Sequence, residues 1–124
     1  MPGYIDAFVH PIPRHQLDDY LQLLAEVARI WKQYGALDYQ EFLGDDLYLE
    51  GTRSFTEVVS ASETEVVLFG WVSFNSRETR NEANRKVAAD PQIAELMAKS
   101  DTGFDPARMI YGGMQAIFPP PRQP

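Results

Sequence analysis

The chain contains no cysteine, which excludes disulfides, thiolate metal sites and cysteine nucleophiles together. No uninterrupted apolar run approaches the roughly 20 residues that a membrane helix needs. Positive charge is scarce: 11 Lys and Arg stand against 18 Asp and Glu, a net charge of -7. That balance repels phosphate backbones at distance and argues against a general nucleic-acid binder. There is no phosphate-binding loop, dinucleotide fingerprint, nucleophile elbow or hydrolase triad pattern. The opening Met1-Pro2-Gly3-Tyr4 runs straight into an alternating segment. No signal peptide is therefore expected, and a bacterial-type cytosol is the expected setting.

What is present is enough for one core: 124 residues, 44% of them hydrophobic. Residues 1–118 are read as one domain and 119–124 as a proline-rich tail. Tyr4 to His10 alternates as a strand that Pro11 and Pro13 should stop. A helix follows, in which Leu17, Tyr20, Leu21, Leu24, Val27, Ala28, Trp31 and Tyr34 recur every three or four residues. Asp18 and Asp19 lie early and Arg29 and Lys32 late, matching the helix dipole, and Gly35 is the expected stop. Leu37 to Leu43 reads as a second strand. Residues 44–65 read as an irregular connection, with a short turn of helix or strand near Phe55–Val59. Val66 to Phe74 is a third strand, rich in β-branched and aromatic residues. Ser76 caps a polar helix to about Ala89, and Asp90-Pro91 restarts a shorter one to about Lys99. Met109 to Phe118 is the last strand.

Strand, helix, strand, strand, helix, strand implies an α+β architecture: the ferredoxin-like βαββαβ plait. It is a four-stranded antiparallel sheet with the helices on one face and the spatial order fourth, first, third, second. The third strand is apolar at both parities, with Val67, Phe69 and Trp71 opposing Leu68, Val72 and Phe74. In the last strand Met109, Tyr111 and Ile117 oppose Ile110, Met114 and Phe118. Strands apolar on both sides are normally covered on both, and the chain offers no further element to supply the second layer. A second copy is the simplest cover, so a homodimer of packed sheets is expected.

Several segments then carry a resemblance. Ile5 to Val9, Trp31 to Leu37, Phe69-Gly70-Trp71, Ser76-Arg77 with Asn84, Ala89-Asp90-Pro91 and Phe104-Asp105 are among them. With Arg108-Met109-Ile110-Tyr111-Gly112-Gly113, the most specific string, they resemble domain-of-unknown-function family 1428. The family consists of small bacterial proteins in the dimeric α+β barrel superfamily. The resemblance implies the same plait and homodimer but brings no established reaction. The superfamily includes cofactor-free oxygenases, muconolactone isomerases, haem-dependent chlorite-degrading enzymes and effector-binding modules, and fold alone does not choose among them. His10 departs from the family pattern, which has an apolar residue there, so a role for it would be particular to this chain.

Candidate chemistry is sparse. Asp6 is a carboxylate in the middle of a central strand, expected on the side of the dimer layer with Tyr4, Phe8 and His10. It reads either as a general base or ligand anchor in a cleft, or as a structural hydrogen-bond partner. Tyr39 and Glu41 share one face of the second strand about 7 Å apart. With Trp71 they line a candidate pocket, unless they are the polar face of an edge strand. Arg108 either clamps a ligand carboxylate or pairs with Asp105 or an acidic residue across the dimer. Gly70 and Gly112-Gly113 mark a close approach by a ligand or a neighbouring side chain. His10 and His15 lack the further ligands that zinc requires, and a haem would need one of them as axial ligand beside a large apolar pocket, so no metal or cofactor is expected. Asp45, Asp46 and Glu50 read as a solvated turn, and Arg77, Arg80, Arg85 and Lys86 as a salt-bridged outer helix face. The leading reading is a homodimer binding a small molecule in a cleft at the sheet or dimer layer, without membrane or nucleic-acid partners. A cofactor-independent oxygenase or isomerase acting on a small carbonyl compound is the alternative, and a structural interaction protein the third.

Overall fold

A computed structural model describes residues 2–120; residues 121–124 of the expected tail lie outside the described residues. Four strands, β1 (Tyr4–Pro13), β2 (Asp38–Leu43), β3 (Glu65–Phe74) and β4 (Ile110–Gln115), form one antiparallel sheet ordered β2-β3-β1-β4. The long helices α1 (Leu17–Gln33) and α3 (Arg77–Ala89) follow β1 and β3. A four-residue helix α2 (Phe55–Val58) lies in the connection before β3, and α4 (Pro91–Lys99) extends α3. This is the expected ferredoxin-like plait, with β1 and β3 central.

Local chemistry places the helix ends. Ser76 accepts from the Thr79 amide at 3.1 Å and Asp90 from the Gln92 amide at 2.7 Å, each capping a helix start. Pro91 opens α4, where the missing N–H costs nothing. Gly35 takes φ of 118° just past α1, in the left-handed region that favours glycine.

β1 runs through Pro11 to Pro13 instead of stopping. In its register the residues bonded to β3 are even-numbered, as Arg14 N–H to the Thr64 carbonyl shows, so the odd-numbered nitrogens face β4. β4 pairs only as far as Ile110 opposite Val9. Pro11 and Pro13 therefore point their hydrogen-free nitrogens where no ladder remains, and both are tolerated. A 3-10 turn, Arg14–Gln16, separates β1 from α1. β4 is shorter than expected, and pairing beyond it ends with Ala116 N–H to the Gly3 carbonyl at 3.1 Å.

Phe74, Ala83, Val72 and Ala36 form one core cluster under the helices, and Ile12, Tyr20 and Leu68 a second. In α1 the fully buried Ile30 belongs to the inward face, whereas Leu21 is exposed. The opposite face of the sheet is covered at one end by the 44–65 connection, where Val59 packs on Val9 and Val67. That segment supplies part of the layer expected from a second copy. The rest of this face stays open: Phe42, Ile110 and Met114 are 47%, 41% and 53% exposed.

Candidate functional site

Even-numbered side chains of β1 point toward the helices, the reverse of the expected orientation. The consequence is a cavity of about 610 Å³ inside one chain, between the sheet and α1, α3 and α4. Leu23, Leu24, Val27 and Trp31 of α1 wall it on one side, and Ile93 and Met97 of α4 close another. The α1 walls are half-buried because they meet empty space rather than side chains. The volume falls in the range of small-molecule sites, and the lining is mainly apolar with few polar groups.

One polar group sits on β1 and β2. His10 is 1% exposed, and its Nε2 lies 3.2 Å from the Tyr20 hydroxyl and 3.5 Å from Glu41 Oε1. The Tyr20 hydroxyl donates to Glu41, with its two oxygens at 2.8 and 2.7 Å. Glu41 reaches this position because Gly70, opposite it on β3, has no side chain. A Cβ there would stand 2.6 Å from Glu41 Cγ and 2.8 Å from Phe8 Cε2. Burial and the neighbouring Glu41 charge push the Tyr20 hydroxyl far above its ordinary value, and burial does the same to Tyr39. Both remain hydrogen-bond donors at any physiological pH.

The second polar group centres on Asp6. Its Oδ1 accepts from the Tyr111 hydroxyl at 2.7 Å and from Arg80 Nη1 at 3.3 Å. Arg80 also donates to Tyr111 at 2.8 Å and to the Tyr4 hydroxyl at 2.9 Å, and lies over the Tyr4 ring. Burial raises the Asp6 carboxyl above its usual range, opposed by the Tyr111 hydrogen bond and the Arg80 charge. Tyr111 is pushed up to about 12, first by burial and then by its bond to Asp6.

The five residues singled out by sequence are thus divided. Asp6 and Tyr39 line the cavity, and Glu41 reaches its edge through Tyr20. Trp71 does not join them. It is paired with Gln40, one residue out of phase with Tyr39 and Glu41, and so lies on the opposite face beside Phe42 at 5.1 Å between ring centroids. Arg108 is spent on Glu65, with Nη1 and Nη2 at 2.7 and 2.9 Å, and also donates to the Ser60 carbonyl. Arg108 pairs with a carboxylate rather than facing the cavity, but the partner is Glu65 of the same chain and not Asp105 or an acidic residue across a dimer. Arg80 leaves the outer helix face assigned to it, while Arg85 and Lys86 pair with Glu82 there. The signal for Arg80 was its spacing, three and seven residues before the inward Ala83 and Val87. For Tyr20 the sequence carries only the signal of an apolar stripe. His15 is exposed on the turn before α1. Among the described residues, no group of three or more His, Asp and Glu side chains is placed to hold a metal ion.

Sheet order and helix placement define a ferredoxin-like α+β fold. Solved structures share the fold. A dimeric ferredoxin-like protein from an uncultured marine organism matches with a TM-score of 0.56 at 7% identity, over 95% of this chain and 98% of that one. A monooxygenase from the gene ActVA-Orf6 of Streptomyces coelicolor, solved with the ligand Nanaomycin D, matches with a TM-score of 0.53 at 16% identity, over 99% and 90% of the two chains. The chain belongs to the family described as "Protein of unknown function (DUF1428)", whose model matches residues 3–106. That match ends before the Arg108–Gly113 string. The uncharacterized protein YbaA of Escherichia coli strain K12 is 36% identical over 115 residues, 93% of this chain and 97% of that protein. YbaA of Shigella flexneri gives the same figures.

Proposed function

We propose that this protein binds a small, largely apolar molecule in the cavity between its sheet and helices, and that it works as a homodimer. The observation that carries the binding reading is the cavity itself, about 610 Å³ of space walled by side chains that would otherwise close a core. The pairing of Asp6 with Arg80 and of Glu41 with Tyr20 supports it, because each polar group is held in place before any ligand arrives. The neutral dye N-phenyl-1-naphthylamine tests it. Its fluorescence should rise on titration to one dye per chain, and Val27→Phe, which adds a ring to the cavity wall, should abolish the rise. No fluorescence change with the native protein, or saturation unaltered by Val27→Phe and Ile93→Phe, rejects the reading.

The homodimer rests on the open sheet face, where Phe42, Ile110 and Met114 flank the half-buried Ile5 and Trp71. An apolar strip of this kind suits a second copy of the same sheet, and the fold relative from the marine organism is described as dimeric. A stable pair needs roughly 1,200–2,000 Å² of buried surface. Sedimentation at micromolar concentration should give twice 14.1 kDa, and Met114→Glu should give a single chain. A native protein sedimenting as one chain removes the dimer without touching the cavity.

Asp6 favours one second reading. A carboxyl raised by burial, beside Tyr111 and Arg80, is equipped to exchange a proton with a bound carbonyl compound, as an oxygenase or isomerase would require. Turnover of a bound carbonyl ligand that disappears in Asp6→Asn while binding persists would favour it over binding alone.

A further inference from the structure

His10 is the least expected polar residue of the cavity wall, and its hydrogen bonds leave one atom over. Tyr20 has a single hydroxyl proton. Both Glu41 oxygens lie 2.7–2.8 Å from it, and a carboxylate can only accept, so that proton goes to Glu41. The Tyr20 oxygen is then an acceptor, and the atom 3.2 Å away, His10 Nε2, must carry the hydrogen. A neutral imidazole protonated at Nε2 has a bare lone pair at Nδ1. Nδ1 is buried and has no hydrogen-bond partner among the described residues. Buried acceptors left this way are rare in folded proteins, and each calls for a partner: a water, an ion or a bound molecule.

We infer that the cavity takes a ring-containing molecule bearing a hydroxyl or N–H group, which donates its hydrogen to His10 Nδ1. The rings around His10 fit such a body: the Phe104 ring centroid is 5.1 Å from the imidazole in an edge-on arrangement, and that of Phe8 is 6.1 Å away. Trp31 and Tyr39 add aromatic wall beyond them. Glu41 and Tyr20 act as positioning residues. By holding the hydrogen on Nε2 they keep Nδ1 an acceptor, so the site selects donors and rejects molecules that present only an ether or carbonyl oxygen there. The selection rests on the cavity being a binding site, as proposed above.

Calorimetric titration with 2-naphthol, 2-methoxynaphthalene and naphthalene separates the two proposals. 2-Naphthol should bind at least about tenfold tighter than 2-methoxynaphthalene, equal to about 1.4 kcal/mol. In His10→Phe that preference should fall to within about twofold while naphthalene still binds. Equal affinity of the naphthol and its ether for the native protein overturns the donor selection and leaves the cavity reading standing. Failure of all three to bind overturns both. A measurement on the unaltered chain covers the case in which His10→Phe does not fold. With only two histidines, a His15→Asn variant assigns the imidazole nitrogen spectrum. His10 should show a protonated Nε2 and an unprotonated Nδ1, whose resonance moves on adding 2-naphthol. A His10 protonated at Nδ1 instead, or an Nδ1 resonance unmoved at saturating 2-naphthol, overturns the inference.

Discussion

Adding one methyl group at Gly70 should unsettle the centre of the molecule. A Cβ there would stand 2.7 Å from the Gln40 carbonyl oxygen, 2.6 Å from Glu41 Cγ and 2.8 Å from Phe8 Cε2. The first of these is backbone of the β2–β3 ladder and cannot retreat without loosening the pairing. The second is held by the Tyr20 hydroxyl. Forcing an extra methyl into packed surroundings costs about 1–3 kcal/mol, and the stiffer unfolded chain returns about 0.4–1 kcal/mol. Gly70→Ala should therefore destabilise by about 1–2 kcal/mol, a melting temperature lower by roughly 4–10 °C for a domain of this size. Gly112→Ala is the control in the same sheet, because its Cβ would meet only Met114 Cε at 3.6 Å, an ordinary contact. It should leave stability unchanged or raise it slightly. Circular dichroism melts and urea titrations at one fixed protein concentration measure both. If Gly70→Ala melts at or above the native temperature while Gly112→Ala behaves as stated, the crowding argument fails. The path of Glu41 over Gly70 would then have to be abandoned.

Arg80→Gln should cost about 3 kcal/mol, because it strands a buried carboxylate at Asp6. Asp6→Asn in the same chain should recover part of that loss, and strictly additive urea-denaturation energies for the pair would show that the two groups do not interact. Glu65, hydrogen-bonded by Arg108 and by the Ser62 amide, is held down to about 2 from an ordinary 4.5. A lowered carboxyl stabilises the fold above its unfolded value and loses that contribution as pH falls from about 4.5 toward 2. Glu65→Gln should thus lower the melting temperature at pH 7 and approach the native value near pH 2; a difference constant across that range contradicts the pairing.

Much of the fold was legible because period-2 and period-3.6 patterns are local. The stripe of α1, the caps at Ser76 and Asp90, and the doubly apolar β3 all report their own surroundings. Which side of the sheet the helices occupy is different. Alternation groups Tyr4, Asp6, Phe8 and His10 together, but it does not say what covers them, and the helices, not a dimer layer, lie over that face. Trp71 was misplaced through register: its partner is Gln40, and a shift of one residue exchanges faces. Tyr20 and Arg80 went unread for a related reason. Each occupies an inward helical position where packing is the ordinary explanation, and only their contacts with Glu41 and Asp6, 21 and 74 residues away in sequence, reveal otherwise.

The two prolines at the end of β1 have a consequence for what can lie against that end. Gly103 packs on the Pro13 ring, and Pro11 is buried. An ordinary strand covered by such a loop would hide two amide hydrogens with nothing to receive them. Here those hydrogens do not exist, so the segment around Gly103 can seal the margin of the sheet by contact alone. The chain gains a closed flank without a fifth strand, and a foreign strand seeking to extend the ladder finds no donors at either position.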